Sequence, residues 1–357
     1  MIPRNADGRP APQSSAMETA APDKPRKDRF TSRRALLALL AGAALVGGGL
    51  TRRAFTRDLR ALEARLRGRS RLLATRFGDL EFADVGEGAP LLMIHGTGGG
   101  FDQGLRFADR LLTAGLRVIA PSRFGYLRSA FPEGASPERQ ADAFVALLDH
   151  LRIDRLPVAG GSAGALSAAW FARRHPDRCT GLVLLVPAAN VAGRDPVTMP
   201  GWQTWAMDRL LGSDALFWSA CRLMPRQLIG SILATDPALL DSVSPDEARR
   251  ARTILWDILP VSARRQGILD DARRAGSPAG IDFADIAAPT LILSTEDDRF
   301  GTAATARILA AAIPKARLVI YPTGGHIWLG HDAEVASEIE AFVASLSKAA
   351  PENSPRL

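Results

Sequence analysis

Gly160-Gly161-Ser162-Ala163-Gly164 is the stretch on which the reading of this chain turns. A short apolar run, Leu156-Pro157-Val158-Ala159, leads into it, and a helix-like run, Ala165-Leu166-Ser167-Ala168-Ala169-Trp170-Phe171-Ala172, follows. Strand, sharp turn and helix with a serine at the apex make the G-x-S-x-G pattern of a nucleophile elbow. A serine at such an apex sits in a strained backbone conformation, and a side chain two residues to either side would collide across the turn. Glycine at Gly160 and Gly164 removes that collision. The small Gly161 and Ala163 leave room for a substrate, and the helix that follows turns its free N–H groups and positive dipole end toward the serine. With 32 glycines in the chain the pentapeptide alone is a moderate signal, so its flanks must decide.

Upstream, residues 72–77 and 79–85 alternate apolar with polar side chains about Gly78, the pattern of an antiparallel hairpin. Residues 91–94, 118–120 and 182–186 are continuous apolar runs. Helical segments separate them, one at 103–114 and one from Pro137 to about Leu151, the second opened by Ser136 as N-cap with proline at the first position. Buried strands alternating with helices predict a mostly parallel sheet. The alternation stops over 191–288, where helical stretches carry four of the six tryptophans, Trp202, Trp205, Trp218 and Trp256. It resumes with a strand at 290–293, a helix at 303–312, a strand at 317–321 and a closing helix from about Ala333 to Ser347. The expected fold is α/β, a mostly parallel central sheet flanked by helices, with the insertion as a helical lid over the strand ends.

The formal charge of +7 is unevenly spread. Residues 1–75 hold 16 Lys and Arg against 6 Asp and Glu, so the remainder is slightly acidic. That distribution points to a membrane surface or a targeting role for the N-terminal segment and away from nucleic acid as a partner. Residues 1–34, rich in Pro, Ala, Ser and charge, read as a disordered basic tail. Residues 35–50 are sixteen uncharged residues behind Ser32-Arg33-Arg34, a signal or anchor segment that resembles a twin-arginine export signal and lacks an A-x-A cleavage site. A basic linker helix is expected at 51–70, a folded body at 71–190 and 289–348 around the lid at 191–288, and a short tail at 349–357. The expected location is the membrane, with the body exported. Cys179 and Cys221 fall in no metal-like spacing, so neither a zinc site nor a disulfide framework is expected.

A serine that attacks a carbonyl needs a base, and the base needs an orienting acid. Of five histidines, His150 and His175 sit at helix ends. His95 follows a strand in a glycine-rich loop. His326, in Thr323-Gly324-Gly325-His326 after the last strand, is placed to fold back over the sheet, with His331 as its competitor. The acid is expected after the strand at 290–293, among Glu296, Asp297 and Asp298, which the residues alone do not separate.

The order Ser162, an acid near 297, then His326 resembles the α/β-hydrolase family over about residues 71–348. His95-Gly96-Thr97-Gly98-Gly99 looks like the family's H-G-x-G-G oxyanion loop, which implies the backbone N–H groups of Thr97 and Ala163 as oxyanion donors. Ser122-Arg123-Phe124-Gly125-Tyr126-Leu127-Arg128-Ser129 is similar to the family's loop after the next strand. The family's G-x-x-D register implies Asp298 as the acid. Thr295 stands in the glycine position and Arg299 where proline is common, departures that keep Asp297 as an alternative. The resemblance implies a serine hydrolase without cofactor or metal, acting on a small ester-like acyl substrate through Ser162, His326 and Asp298. The tryptophan-bearing insertion suggests a hydrophobic substrate bound by Trp202 and Trp205. Alternatives are carbon–carbon bond hydrolysis or perhydrolysis on the same triad, or an inactive family member that only binds.

Overall fold

The computed structural model describes residues 48–49, 51–191, 209–278 and 280–349 of the 357. Two compact units divide at Met1–Ala54 and Phe55–Leu357. In the first, the described residues 48–49 and 51–54 are helical. The anchor expected at 35–50 lies outside the described residues except for 48–49, as do Trp202 and Trp205. Among the described residues no helix is long and apolar enough to cross a membrane.

The second unit is built on one eight-stranded sheet of order β1-β2-β4-β3-β5-β6-β7-β8. The strands are β1 (Arg71–Thr75), β2 (Gly78–Val85), β3 (Pro90–Ile94), β4 (Arg117–Pro121), β5 (Leu156–Gly161), β6 (Cys179–Leu185), β7 (Thr290–Thr295) and β8 (Ala316–Tyr321). β1 and β2 form the antiparallel hairpin, β2 pairs antiparallel with β4, and every later pairing is parallel. The parallel strands β3, β5, β6 and β7 are buried on both faces, as their unbroken apolar runs require, while the edge strand β8 is only half-buried. Side chains alternate between two cores. Leu92, Val158, Leu182, Leu184 and Ile292 meet Phe144, Leu147, Phe171 and Leu309 on one face. Leu91, Met93, Ala159, Val183 and Leu293 meet Phe101, Leu105, Leu111 and Val343 on the other. Each such aliphatic side chain contributes about 1.5–3 kcal/mol by leaving water, and a shift of one residue in register would exchange the two faces.

The helix Pro137–His150 starts as its sequence suggests: the Ser136 hydroxyl accepts from Arg139 N–H, with proline at the first position. The helix expected over 103–114 is instead two, Phe101–Phe107 and Asp109–Thr113, broken at Ala108 (φ −103°, ψ 12°). The break leaves Phe101, Leu105, Ala108 and Leu111 in one core cluster. Between β6 and β7 the described part of the insertion holds the helices Asp214–Leu223, Pro225–Ser231, Pro245–Trp256 and Arg265–Ala275 and no strand. The segment expected as a linker helix runs helical to residue 66. Within the second unit its residues 55–66 lie on the body: Leu62 is buried, Trp218 Nε1 donates to Asp58 at 3.1 Å, and Arg65 pairs with Asp102 at 3.0 Å.

Candidate active site

β5 ends in the elbow. Ser162 has φ 54° and ψ −123°, a region that an L-residue enters only under constraint. The constraint is visible in its neighbours. A Cβ on Gly160 would lie 2.3 Å from the Gly164 carbonyl oxygen, and one on Gly164 would lie 2.4 Å from that of His95. Ser162 N–H donates to Leu185 O of β6 at 2.8 Å, which pins the turn to the sheet. The helix Ala163–Arg174 begins at the next residue, so the Ala163 N–H is one of the donors that a helix start leaves without an intrahelical acceptor.

β8 delivers the histidine. His326 lies in the short turn Gly325–Ile327 after a tight glycine pair, where Gly325 has φ 57° and a Cβ would strike Thr235 at 2.5 Å. Its Nε2 is 2.8 Å from Ser162 Oγ and its Nδ1 is 2.8 Å from Asp298 Oδ2. Asp298 follows β7 and has a fully buried carboxylate. It also accepts from Thr302 Oγ1 and, at 2.9 Å, from Phe300 N–H. Burial alone would push this carboxyl up. The facing His326, with the hydrogen bonds from His326, Thr302 and Phe300 N–H, outweighs burial and holds it below the usual carboxylate range. An ionised Asp298 accepts a hydrogen bond from Nδ1–H and so keeps the proton on that nitrogen, which leaves Nε2 free to accept from the serine hydroxyl. Phe300 stands edge-on to the imidazole with ring centroids 4.9 Å apart.

Asp297 faces elsewhere: its carboxylate accepts from the Gly325 and Gly324 N–H groups at 2.8 and 3.2 Å, so it fastens the histidine loop. Glu296 reaches outward to Arg307 at 2.6 Å. His331 stacks on Tyr321 with centroids 4.6 Å apart, His175 meets Asp142 at 2.9 Å, and His150 lies against Phe82.

His95 is fully buried. Its Nε2 accepts from Arg123 N–H at 2.8 Å, so Nδ1 carries the proton and donates to Gly96 O at 2.7 Å. Burial, then the neighbouring Arg123 cation, hold this imidazole well below its ordinary range and therefore neutral. The loop it opens reaches the serine: a Cβ on Gly96 would lie 3.0 Å from Ser162 Cβ. Thr97 is exposed, with its hydroxyl donating to Asp271 at 2.8 Å. The sequence reading missed Asp271, Thr302 and Phe300. Thr302 and Phe300 lie within four residues of the acid, but Asp271 is on an amphipathic helix of the insertion with no local signature. Among the described residues no group of three His, Cys, Asp or Glu side chains could hold a metal ion.

The site can thus polarise a serine hydroxyl beside the N-terminus of a helix, at the carboxyl end of a parallel sheet. A family model described as alpha/beta hydrolase fold matches residues 89–330. The 2-hydroxymuconate semialdehyde hydrolase of Pseudomonas sp. (strain CF600) is 30% identical over 278 residues, covering 75% of this chain and 91% of that protein. An alpha/beta hydrolase fold protein from Nakamurella multipartita superposes with a TM-score of 0.65 at 26% identity, over 78% of this chain and 98% of its own. A thermophilic esterase from Thermogutta terrifontis, at TM-score 0.58 and 21% identity over 78% and 98% of the two chains, shares the fold.

Proposed function

The chain belongs to the α/β-hydrolase fold family, and from that premise we propose that it is a serine hydrolase that transfers the acyl group of an ester-like substrate to water. One observation carries the reading: the continuous hydrogen-bonded chain from Ser162 Oγ through His326 to Asp298, at 2.8 Å for each link. In the proposed reaction Oγ attacks the carbonyl carbon while His326 Nε2 takes its proton. The carbonyl oxygen becomes an oxyanion facing the N–H groups of Ala163 and Thr97. Collapse of the tetrahedral intermediate breaks the bond to the leaving group, which departs with the proton from Nε2. Water, deprotonated by the same nitrogen, then releases the acid from Ser162. Asp298 keeps Nδ1–H in place and stabilises the imidazolium that forms twice per turnover.

Carbon–carbon bond hydrolysis on the same residues is the second reading, and the Pseudomonas relative favours it. The semialdehyde in that relative's name has no ester bond, so its hydrolysis must break a carbon–carbon bond. Two assays on the purified protein decide. Turnover of p-nitrophenyl esters, with a fluorophosphonate label on Ser162, supports the ester reading. Turnover of a 2-hydroxy-6-oxo-dienoate with negligible ester cleavage would replace it by the second. Failure of the label to attach to Ser162 would remove both.

A further inference from the structure

Two buried ion pairs join the last part of the insertion to the loops beside Ser162. In the first, Arg123 Nη1 and Nη2 meet Asp271 Oδ1 and Oδ2 at 2.7 and 2.6 Å. In the second, Arg264, with no exposed surface, meets Asp102 at 2.9 and 3.1 Å and donates to Gly99 O at 2.5 Å. Asp271 and Arg264 come from the insertion; Arg123, Asp102 and Gly99 come from the body. Backbone bonds tie the same edges, from Leu127 N–H to Ala263 O at 2.7 Å and from Gly267 N–H to Gly125 O at 3.0 Å. Gly267 packs so tightly on Tyr126 that a Cβ there would lie 2.1 Å from the ring.

Asp271 is the hub. Besides Arg123 it accepts from Tyr126 Oη at 2.5 Å and from Thr97 Oγ1 at 2.8 Å. Four donors converge on this one carboxylate, one on Oδ1 and three on Oδ2, so its orientation is over-determined. Its partners converge on the 95–99 loop. Arg123 holds the His95 ring through its N–H and the His95 carbonyl through Nε at 3.0 Å, Tyr126 stands edge-on to the same ring at 4.6 Å, and the Thr97 hydroxyl is held directly. A charged pair hidden between insertion and body is costly as packing, since desolvation offsets much of the attraction. Fixing a geometry is what such a pair does well.

We propose that Asp271 is a positioning residue. By holding the Thr97 hydroxyl and, through Arg123, both ends of His95, it sets the Thr97 peptide N–H against the reacting oxygen. The segment 262–275 is then part of the oxyanion donor's scaffold, fixed to the body. This inference rests on the serine-hydrolase reading of Ser162.

Thr97→Val tests it with minimal risk to folding, because it keeps the side-chain shape at an exposed residue and replaces the hydroxyl by a methyl group. A full oxyanion donor carries about 10²–10³ in rate, and a loosened one should forfeit part of that, about tenfold in kcat on a p-nitrophenyl ester. KM should stay within about twofold, since the substrate's ground state makes little use of the donor. Phenylboronic acid, whose tetrahedral adduct on Ser162 puts an oxygen in the same place, should lose affinity by a similar factor. Thr97→Ser, which restores the hydroxyl, should recover most of both losses, and Asp271→Asn should lose at least as much as Thr97→Val. Unchanged kcat and boronate affinity in Thr97→Val would overturn the proposal, as would a loss confined to melting temperature or KM. If phenylboronic acid binds Ser162→Ala as tightly as wild type, the nucleophile assignment fails instead and takes this inference with it.

Discussion

Asp297 and Asp298 are adjacent in the chain and face opposite ways. Asp298 turns its carboxylate inward to His326 and Thr302, whereas Asp297 turns back to the Gly324 and Gly325 N–H groups. Asp298→Asn keeps the shape but offers an amide to Nδ1, which stabilises the wrong imidazole tautomer. On the proposed mechanism kcat should fall on the order of 10⁴-fold. Asp297→Asn keeps an acceptor for the glycine N–H groups, and its loss should be far smaller. Steady-state kinetics on the two variants, with near-UV circular dichroism to verify folding, check the pair. A larger loss in Asp297→Asn would reverse the roles. The residues alone narrow the acid to three candidates, and only the family's G-x-x-D register singles out Asp298, the carboxylate that meets His326. One residue of register decides which carboxylate meets the histidine, and that register is set by the pairing of β7 with β8 rather than by local pattern.

At the level of elements, the elbow could be read from five residues because its requirement is steric and local. Where a Cβ on Gly160 would meet the Gly164 carbonyl oxygen at 2.3 Å, backbone must move. Gly160→Ala should therefore destabilise the fold by about 1–3 kcal/mol, as overpacking does, and displace Ser162 enough to depress turnover. Gly276→Ala is the control: its φ of −85° suits any residue, and the nearest atom to a Cβ is 3.6 Å away. It should be neutral or stabilising by about 0.4–1 kcal/mol through the unfolded chain. Urea midpoints of the two variants measure both effects, and equal midpoints would contradict the steric account. The parallel strands were legible for a similar reason, since double-sided burial writes unbroken apolar runs into β3, β5, β6 and β7, whereas their spatial order was not. The contacts of the insertion were not legible. Asp271 meets Arg123 across 148 positions of sequence, and Arg264 meets Asp102 across 162, with nothing in either helix to announce the partner.

Across the whole molecule, the buried carboxylates set how the fold answers acid. Burial raises Asp102, but the Arg264 and Arg65 cations outweigh it and hold the group at about 2 against an ordinary 3.8. Asp271 is likewise lowered, burial being outweighed by Arg123 and by the Arg123, Tyr126 and Thr97 hydrogen bonds, and Asp298 is lowered as described. A carboxyl depressed in the folded state contributes stability that is fully present above its unfolded value and lost as pH falls through its folded value. Stability should therefore decline from about pH 4 toward pH 2, with Asp102 alone accounting for about 2 kcal/mol. The melting temperature followed across that window checks this, and a flat profile would contradict it. The same global arrangement assembles the site, for Ser162 and His326 meet across 164 positions and Asp298 joins them only because β7 lies beside β6 and β8 beside β7. The most direct test of the proposed chemistry is kcat of Ser162→Ala on the best p-nitrophenyl ester, with circular dichroism to show an intact fold. A loss on the order of 10⁴–10⁶ is expected, and turnover near that of the wild type would show that Ser162 is not the nucleophile.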